Sequence, residues 1–141
     1  MTPRFMSAVV DTLLPGDHGV PPLPTGTAAG VATKLEHLVA GRDRMHSDLV
    51  LQAIAIAARG EEAFLQADAA GRIASVRQVE AEMPGPFQAL VALVLRDYYE
   101  AEMVLLAMGW RAEPPQPQGH VLPPFGEALL EPVRRRGRMW R

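Results

Sequence analysis

The chain has 141 residues, of which 48% are apolar and 21% charged, and its formal net charge is −2. This size predicts a single domain with its own core, and the composition excludes a wholly disordered or collagen-like chain. The near-neutral charge argues against nucleic acid or an anionic membrane as a partner of the whole protein. The absence of cysteine excludes disulfides, thiolate catalysis and iron–sulfur ligation.

The first predicted element is an amphipathic helix that begins at Pro3, is capped by the Thr2 hydroxyl and stops at Pro15. Its apolar stripe consists of Phe5, Met6, Val9, Val10, Leu13 and Leu14. The following stretch, PGDHGVPPLPTG, is rich in proline and glycine, so it predicts a loop.

Two further helices follow this loop. One is predicted from about Thr27 to Gly41, with its apolar side formed by Val31, Leu35, Leu38 and Val39. The next, capped by Asp43 or Ser47 and closed near Gly60, is apolar on almost all sides, so we expect it at the centre of the core.

The stretch EEAFLQADAAG predicts a shorter helix, and an amphipathic one follows it with Ile73, Val76, Val79 and Met83 on one side. A last long helix is predicted from Pro86 to about Met108. Its buried side should hold Phe87, Leu90, Val91, Val94, Leu95, Tyr98, Leu105 and Met108. No stretch alternates convincingly with period two, so we predict an all-α fold of five to seven helices.

We expect residues 1–112 to form a compact helical core domain. Residues 113–141 should form a proline-rich loop and an arginine-rich C-terminal segment that packs on the core or on a partner. Pro132 limits the length of any helix in that segment.

The sequence predicts no catalytic, cofactor-binding or metal-binding residue. It contains no glycine-rich phosphate loop, and a single acidic-x-x-His pair, Asp43 and His46, falls short of the two pairs of a di-iron bundle. The remaining histidines, His18, His37 and His120, are interpreted as surface residues. We therefore expect a chain that is not itself an enzyme.

Two features instead predict contact with a partner. Tyr98 and Tyr99 lie about 100° apart on a helix, so a buried Tyr98 turns Tyr99 outward. Further along the chain come the Gly109-Trp110 pair, a stiff proline loop at residues 113–124 and an arginine-rich tail that ends at Arg141. The predicted partner-binding residues are Tyr99, Trp110, Pro114, Pro115, Pro117, His120, Arg134, Arg135, Arg138 and Trp140. The alternative is a free-standing helical regulator or nucleic-acid-associated protein that uses the arginine cluster.

Two segments resemble a known family. VVDTLLPGD followed by a proline-rich turn, and PFQALVALVLRDYYEAEMVLLAMGW followed by PPQPQGH, are similar to the gluconate 2-dehydrogenase subunit 3 family. The resemblance covers about half the chain. It implies a small, non-catalytic accessory subunit that supports the assembly, stability or maturation of a large FAD-containing dehydrogenase of the glucose–methanol–choline type.

The resemblance also implies a hetero-oligomer in which FAD is bound by the large subunit and no cofactor by this chain. Many members of that family carry a twin-arginine export signal, whereas the adjacent arginines here lie near the C-terminus. No signal peptide and no membrane span are predicted, so we expect a cytoplasmic protein. A periplasmic location, through a trimmed start or export with a partner, stays open.

Overall fold

Apolar residues at helical spacing, interrupted by proline and glycine, produce an all-α protein, as predicted. The structure is a computed structural model that describes residues 1–40, 45–110, 119, 126 and 130–136. The described residues contain eight helices and no strand. They are α1 Pro3–Leu13, α2 Val31–Ala40, α3 Met45–Ala57, α4 Glu61–Gln66, α5 Ala69–Glu82, α6 Pro84–Tyr99, α7 Glu102–Ala107 and α8 Glu131–Arg136.

Helix α1 begins where the sequence predicts. The Thr2 hydroxyl accepts a hydrogen bond from the Phe5 N–H at 3.3 Å, and Pro3 occupies the first turn. The Glu61 carboxylate accepts hydrogen bonds from the Thr2 N–H at 2.9 Å and from its hydroxyl at 2.7 Å. The start of α4 therefore holds the start of α1, two segments far apart in the sequence.

The core lies where α1, α2, α5 and α6 meet, and α3 packs on it against α5 and α6. Its largest fully buried side chains are Phe5, Phe64, Leu51, Ile54 and Leu90. Helix α3 places Val50, Leu51 and Ile54 in the core, as expected, but Leu49 and Ile56 on its other side are exposed. Apolar residues all around a helix thus do not guarantee that neighbours cover every side.

The long helix predicted from Pro86 to Met108 is two helices, α6 and α7. The chain breaks because Ala101 adopts an extended conformation, with φ −71° and ψ 128°. Helical spacing does not carry across such a break, so Val104 is the fully buried residue of α7 while Met108 is exposed and Leu105 only partly buried. Leu95, also predicted to be buried, is exposed, and so is Ile73 of the apolar side predicted for the preceding helix.

Several helix starts differ from the predicted ones. Helix α2 begins at Val31 rather than Thr27, after a tight turn in which a Cβ on Gly26 would lie 2.5 Å from the Val10 side chain. Ser47 lies inside α3 and does not cap it. Asp68 separates α4 from α5, because its carboxylate accepts the Gly71 N–H at 2.8 Å and caps α5.

The division into residues 1–112 and 113–141 stays a prediction, because most of the second part lies outside the described residues. Within it, the described helix α8 contains Pro132 in its first turn, a position that a helix tolerates.

Candidate functional site

Tyr98 fixes the end of α6 to the loop between α1 and α2, the stretch PGDHGVPPLPTG. Its ring is buried, and its hydroxyl donates a hydrogen bond to the Pro24 carbonyl oxygen at 2.6 Å. Burial raises the pKa of the Tyr98 hydroxyl, and the nearby Tyr99 and Asp17 charges raise it further. The predicted burial of Tyr98 is confirmed.

The loop that receives this hydrogen bond is itself ordered by a carboxylate. Asp17 accepts the backbone N–H of Leu23 at 2.7 Å and that of Gly19 at 3.1 Å, and these hydrogen bonds lower its pKa. The Asp17 N–H in turn donates to the Leu23 carbonyl oxygen. The Tyr98 hydroxyl therefore binds a loop whose own hydrogen bonds, made by Asp17, already hold its backbone.

Tyr99 points outward, as its helical angle predicts. Half of the residue is exposed, and its ring stands edge-on to the Tyr98 ring, with centroids 5.5 Å apart and an interplanar angle of 77°. The Tyr98 ring is buried and its hydroxyl is hydrogen-bonded, so the Tyr99 ring packs against a side chain that is held in place. The predicted exposure of Tyr99 is confirmed.

A cap at the end of α7 positions Trp110. Gly109 has φ +75°, its N–H donates to the Leu106 carbonyl oxygen, and the Trp110 N–H donates to the Leu105 carbonyl oxygen at 2.8 Å. These two bonds form a Schellman motif, in which the residue after the glycine commonly packs on the residue five positions before it. Trp110 is accordingly turned back toward Leu105, yet 64% of it is exposed, which confirms its predicted exposure.

These side chains line an open, apolar hollow of about 280 Å³. We call it the aromatic hollow, and its lining residues are Tyr99, Leu105, Met108 and Trp110. Two of them, Tyr99 and Trp110, are predicted site residues. The other two were predicted to be buried, and the break at Ala101 is the reason that they line a surface instead.

A second hollow, of about 480 Å³, lies on the other flank of α7. We call it the acidic hollow, and its lining residues are Ala29, Lys34, Glu100, Ala101, Glu102, Met103 and Leu106. It holds two carboxylates and one ammonium group, and none of the three has an ion pair or hydrogen bond within the described part of the chain. Sequence reasoning missed this hollow, because Ala29 and Lys34 reach it only through the packing of α2 near the end of α6.

The remaining predicted site residues fall elsewhere. Arg134 and Arg135 are exposed on α8, where the Arg135 guanidinium lies 3.4 Å from the Glu131 carboxylate. Pro114, Pro115, Pro117, His120, Arg138 and Trp140 lie outside the described residues. Among the predicted residues that the structure describes, Tyr99 and Trp110 are the two that it brings together.

The described side chains include no group of three or more His, Asp or Glu residues that could hold a metal ion. Across those same ranges, no helix is long and apolar enough to span a membrane. A third hollow, of about 170 Å³ between α1 and α5, contains Arg72, whose guanidinium already donates to the Phe64 and Leu65 carbonyl oxygens.

No protein-family model, curated protein or solved structure matches the chain.

Proposed function

We propose that this chain is a non-catalytic small subunit of a flavin-dependent sugar or alcohol oxidoreductase complex. In this proposal it binds the large FAD-containing subunit through the aromatic hollow and supports the assembly, stability or maturation of that subunit. The observation that carries the proposal is the aromatic hollow itself, an apolar surface built from a supported tyrosine and a capped tryptophan.

The exposure of these residues favours binding over a purely structural role. Tyr99, Met108 and Trp110 are each more than two-fifths exposed, and Met103 and Leu106 on the same short helix are similarly exposed. Contiguous apolar surface on a small protein commonly marks an interaction site, and tryptophan and tyrosine are enriched among residues that dominate binding energy. Only Val104 of α7 is fully buried, so this helix adds little to the core.

The choice of partner rests on the family resemblance. The two segments that carry it, residues 9–17 and 86–110, include the second half of α1, all of α6 but its first two residues, and the whole of α7. The loop that continues from the first segment accepts the Tyr98 hydroxyl hydrogen bond. The resembling segments are therefore joined in space next to the aromatic hollow. FAD and the reacting groups would belong to the large subunit.

Co-expression with a candidate glucose–methanol–choline-type flavoprotein tests the proposal. We expect co-elution on gel filtration and a higher yield of soluble, flavin-loaded large subunit when this chain is present. Trp110→Ala should weaken the complex by about 30-fold, the effect of losing a residue worth roughly 2 kcal/mol in binding. Ile56→Ala, which truncates a 77% exposed residue on α3, is the matched control and should leave binding unchanged. A large subunit that is equally soluble, flavinated and active alone, with no complex, would rule the proposal out.

The alternative, a regulator that binds nucleic acid, is favoured by one observation. Helix α8 exposes Arg134, Arg135 and Arg136 within a single turn. Such a surface predicts binding to oligonucleotides that weakens steeply with salt and disappears when residues 134–141 are removed. Titrations that stay flat at low salt would exclude it.

A further inference from the structure

We infer that the break between α6 and α7 is a conformational switch, in which Ala101 is a hinge and the two helices convert into one continuous helix when it straightens. The straightened form lacks the aromatic hollow, so the hinge controls whether that surface is available for binding. The hinge is a property of the chain by itself, and only the binding role of the hollow rests on the proposed function.

The residues around the break favour a helix. Ala101 is extended, with φ −71° and ψ 128°, although alanine has the highest helix propensity of all residues. Residues 99–107 contain no proline or glycine, and Val104 is their only β-branched residue. The local sequence therefore favours continuation of α6, and the bend depends on contacts made elsewhere in the fold.

The start of α7 lacks hydrogen bonds that would stabilise it as a separate helix. Within the described residues no side chain caps it, because Ala101 occupies the cap position. Nor do the N–H groups of Glu102 and Met103 bond to the carbonyl oxygens four positions before them, as they would inside a helix. Straightening at Ala101 would form both of these hydrogen bonds, to the carbonyl oxygens of Tyr98 and Tyr99.

Val104 is the side chain that holds the bend. It is the one fully buried residue of α7, and it belongs to the apolar core. The buried side of α6 ends at Tyr98, and on a continuous helix Ala101, Leu105 and Met108 would extend it at the same spacing of three or four positions. The bent form thus gains the burial of one valine, and the straight form gains two backbone hydrogen bonds. These contributions are of similar size, so both forms are accessible.

Straightening takes the aromatic hollow apart. Its wall comes from both sides of the hinge, with Tyr99 from α6 and Leu105, Met108 and Trp110 from α7 and its cap. On one continuous helix Tyr99 and Met108 are nine positions apart, which separates them by about 13 Å along the axis and places them on opposite sides. The hollow therefore exists in the bent form alone, and a partner that fills it would stabilise that form.

Proline in place of Glu102 separates the two forms. Glu102 is the first residue of α7, where a helix tolerates proline, and the extended Ala101 before it already has the conformation that a following proline favours. A continuous helix excludes the same proline, because its ring would clash with the Tyr98 carbonyl oxygen. Glu102→Pro should therefore hold the bent form. Glu102→Gln, which removes the same carboxylate and keeps the N–H, is the matched control.

Relaxation dispersion of the Ala101 Cα resonance, recorded on the full-length chain, tests the hinge, because hinge motions take microseconds to milliseconds. We expect exchange with a minor form that holds up to roughly 10% of the molecules and has a helical Cα shift. Glu102→Pro should abolish this exchange, whereas Glu102→Gln should keep it. A flat profile in the unsubstituted chain, or exchange that persists in Glu102→Pro, overturns the inference.

A charge at the buried valine should reverse the preference. Val104→Glu places a carboxylate that the apolar core cannot solvate, so α7 leaves the core and the straight form becomes the major one. The Ala101 Cα shift should then move from an extended to a helical value. Leu106→Glu, at a residue of the same helix that is 56% exposed, is the matched control and should keep the extended shift. A shift in Val104→Glu that stays extended or takes a random-coil value overturns the inference.

Binding measurements show whether the hinge controls the hollow and separate this inference from the proposed function. Val104→Glu should weaken the flavoprotein complex about tenfold or more, and Glu102→Pro should leave it as tight as before. An unweakened complex in Val104→Glu would overturn control of the hollow by the hinge. If Ala101 behaves as expected but no flavoprotein binds, the hinge stands and the proposed partner is wrong. If the complex forms and depends on Trp110 while Ala101 shows no exchange, the proposed function stands and the inference fails.

Discussion

Helices α3 and α7 end in the same backbone arrangement and yet present different surfaces. In α3 the Arg59 N–H donates to the Ile56 carbonyl oxygen and the Gly60 N–H to that of Ala55, the same pair of bonds that closes α7. At the position whose N–H makes the shorter of these two loops, the residue with positive φ is Arg59 after α3, at +65°, and Gly109 after α7, at +75°. The next residue is Gly60 after α3, which also has positive φ, and Trp110 after α7.

This difference shows how one cap serves two purposes. After α3 the chain needs only to turn, because α4 begins at Glu61 and its carboxylate binds Thr2. After α7 the same turn directs a tryptophan back onto the helix and completes the aromatic hollow. The position of the large side chain, rather than the backbone, makes the end of α7 a candidate binding surface.

The largest contrast should appear in the bodies of the two helices. Ile54→Ala on α3 removes a fully buried side chain and should lower the free energy of unfolding by about 2–5 kcal/mol. Leu106→Ala on α7, where the residue is 56% exposed, should change it by less than about 0.5 kcal/mol. Urea unfolding followed by circular dichroism measures both. Similar losses for the two variants would mean that α7 is part of the core.

Gly109, in the cap of α7, should matter for both the stability of the protein and the position of Trp110. Gly109→Ala forces a side chain into positive φ and should destabilise the protein by about 1 kcal/mol. It should also loosen Trp110, whose fluorescence then shifts to the red and becomes easier to quench, best read with Trp140 replaced by phenylalanine. Gly85→Ala, in the first turn of α6 with open space around it, is the matched control. An unchanged spectrum in Gly109→Ala would show that the cap does not place the tryptophan.

The two tyrosines that support the hollow should respond differently to loss of a hydroxyl. Tyr98→Phe leaves the Pro24 carbonyl oxygen without its 2.6 Å donor and should lower the free energy of unfolding by about 1 kcal/mol. Tyr99→Phe, at a half-exposed position, should have almost no effect on stability. Because the pKa of Tyr98 is raised, the unfolded chain loses this proton first, so stability should fall as pH rises above the ordinary value of 10.0. Tyr98→Phe should remove that part of the pH dependence.

A glycine substitution in the cap of α3 should stabilise the protein, whereas the alanine substitution in the cap of α7 should destabilise it. Arg59→Gly relieves a non-glycine residue at positive φ and should raise the free energy of unfolding by up to about 1 kcal/mol. Arg77→Gly, inside α5, is the contrasting control and should destabilise, since glycine weakens a helix interior. Thermal unfolding of the two variants should give shifts of opposite sign, and a loss in Arg59→Gly would show that its side chain has a structural role.

The smallest expected effect concerns the link between α4 and α1. Hydrogen bonds from the Thr2 hydroxyl and N–H lower the pKa of Glu61, so the folded state favours the ionised carboxylate. Its stabilising contribution is therefore present above the ordinary value of 4.5 and is lost as pH falls through and below that value. Glu61→Gln should flatten the acid side of a pH–stability profile, whereas the exposed Glu62→Gln should not. Parallel profiles for the two variants would contradict the proposed link.

The sequence predicts much of the local structure because its signals are local. Thr2 and Pro3 start α1 as expected, and the proline-rich stretch between α1 and α2 is a loop. One helical angle places the Tyr98 side chain inside and the Tyr99 side chain outside. Leu105 and Met108 were misplaced because the same periodicity was extended through Ala101, where no proline or glycine marks the break. A helix break without such a residue leaves little trace in the sequence pattern.

The sequence by itself determined the all-α fold class, the helical stripes that form the core and the outward turn of Tyr99, since each follows from spacing along one helix. Only the tertiary structure decided which apolar sides remain uncovered, and so exposed Ile56 on α3 and opened the hollows beside α7. It also brought Lys34 of α2 to Glu100 and Glu102. Burial depends on which neighbours cover a side, and within the described residues the short helix α7 packs mainly on α6, which leaves its apolar side chains Met103 and Leu106 exposed.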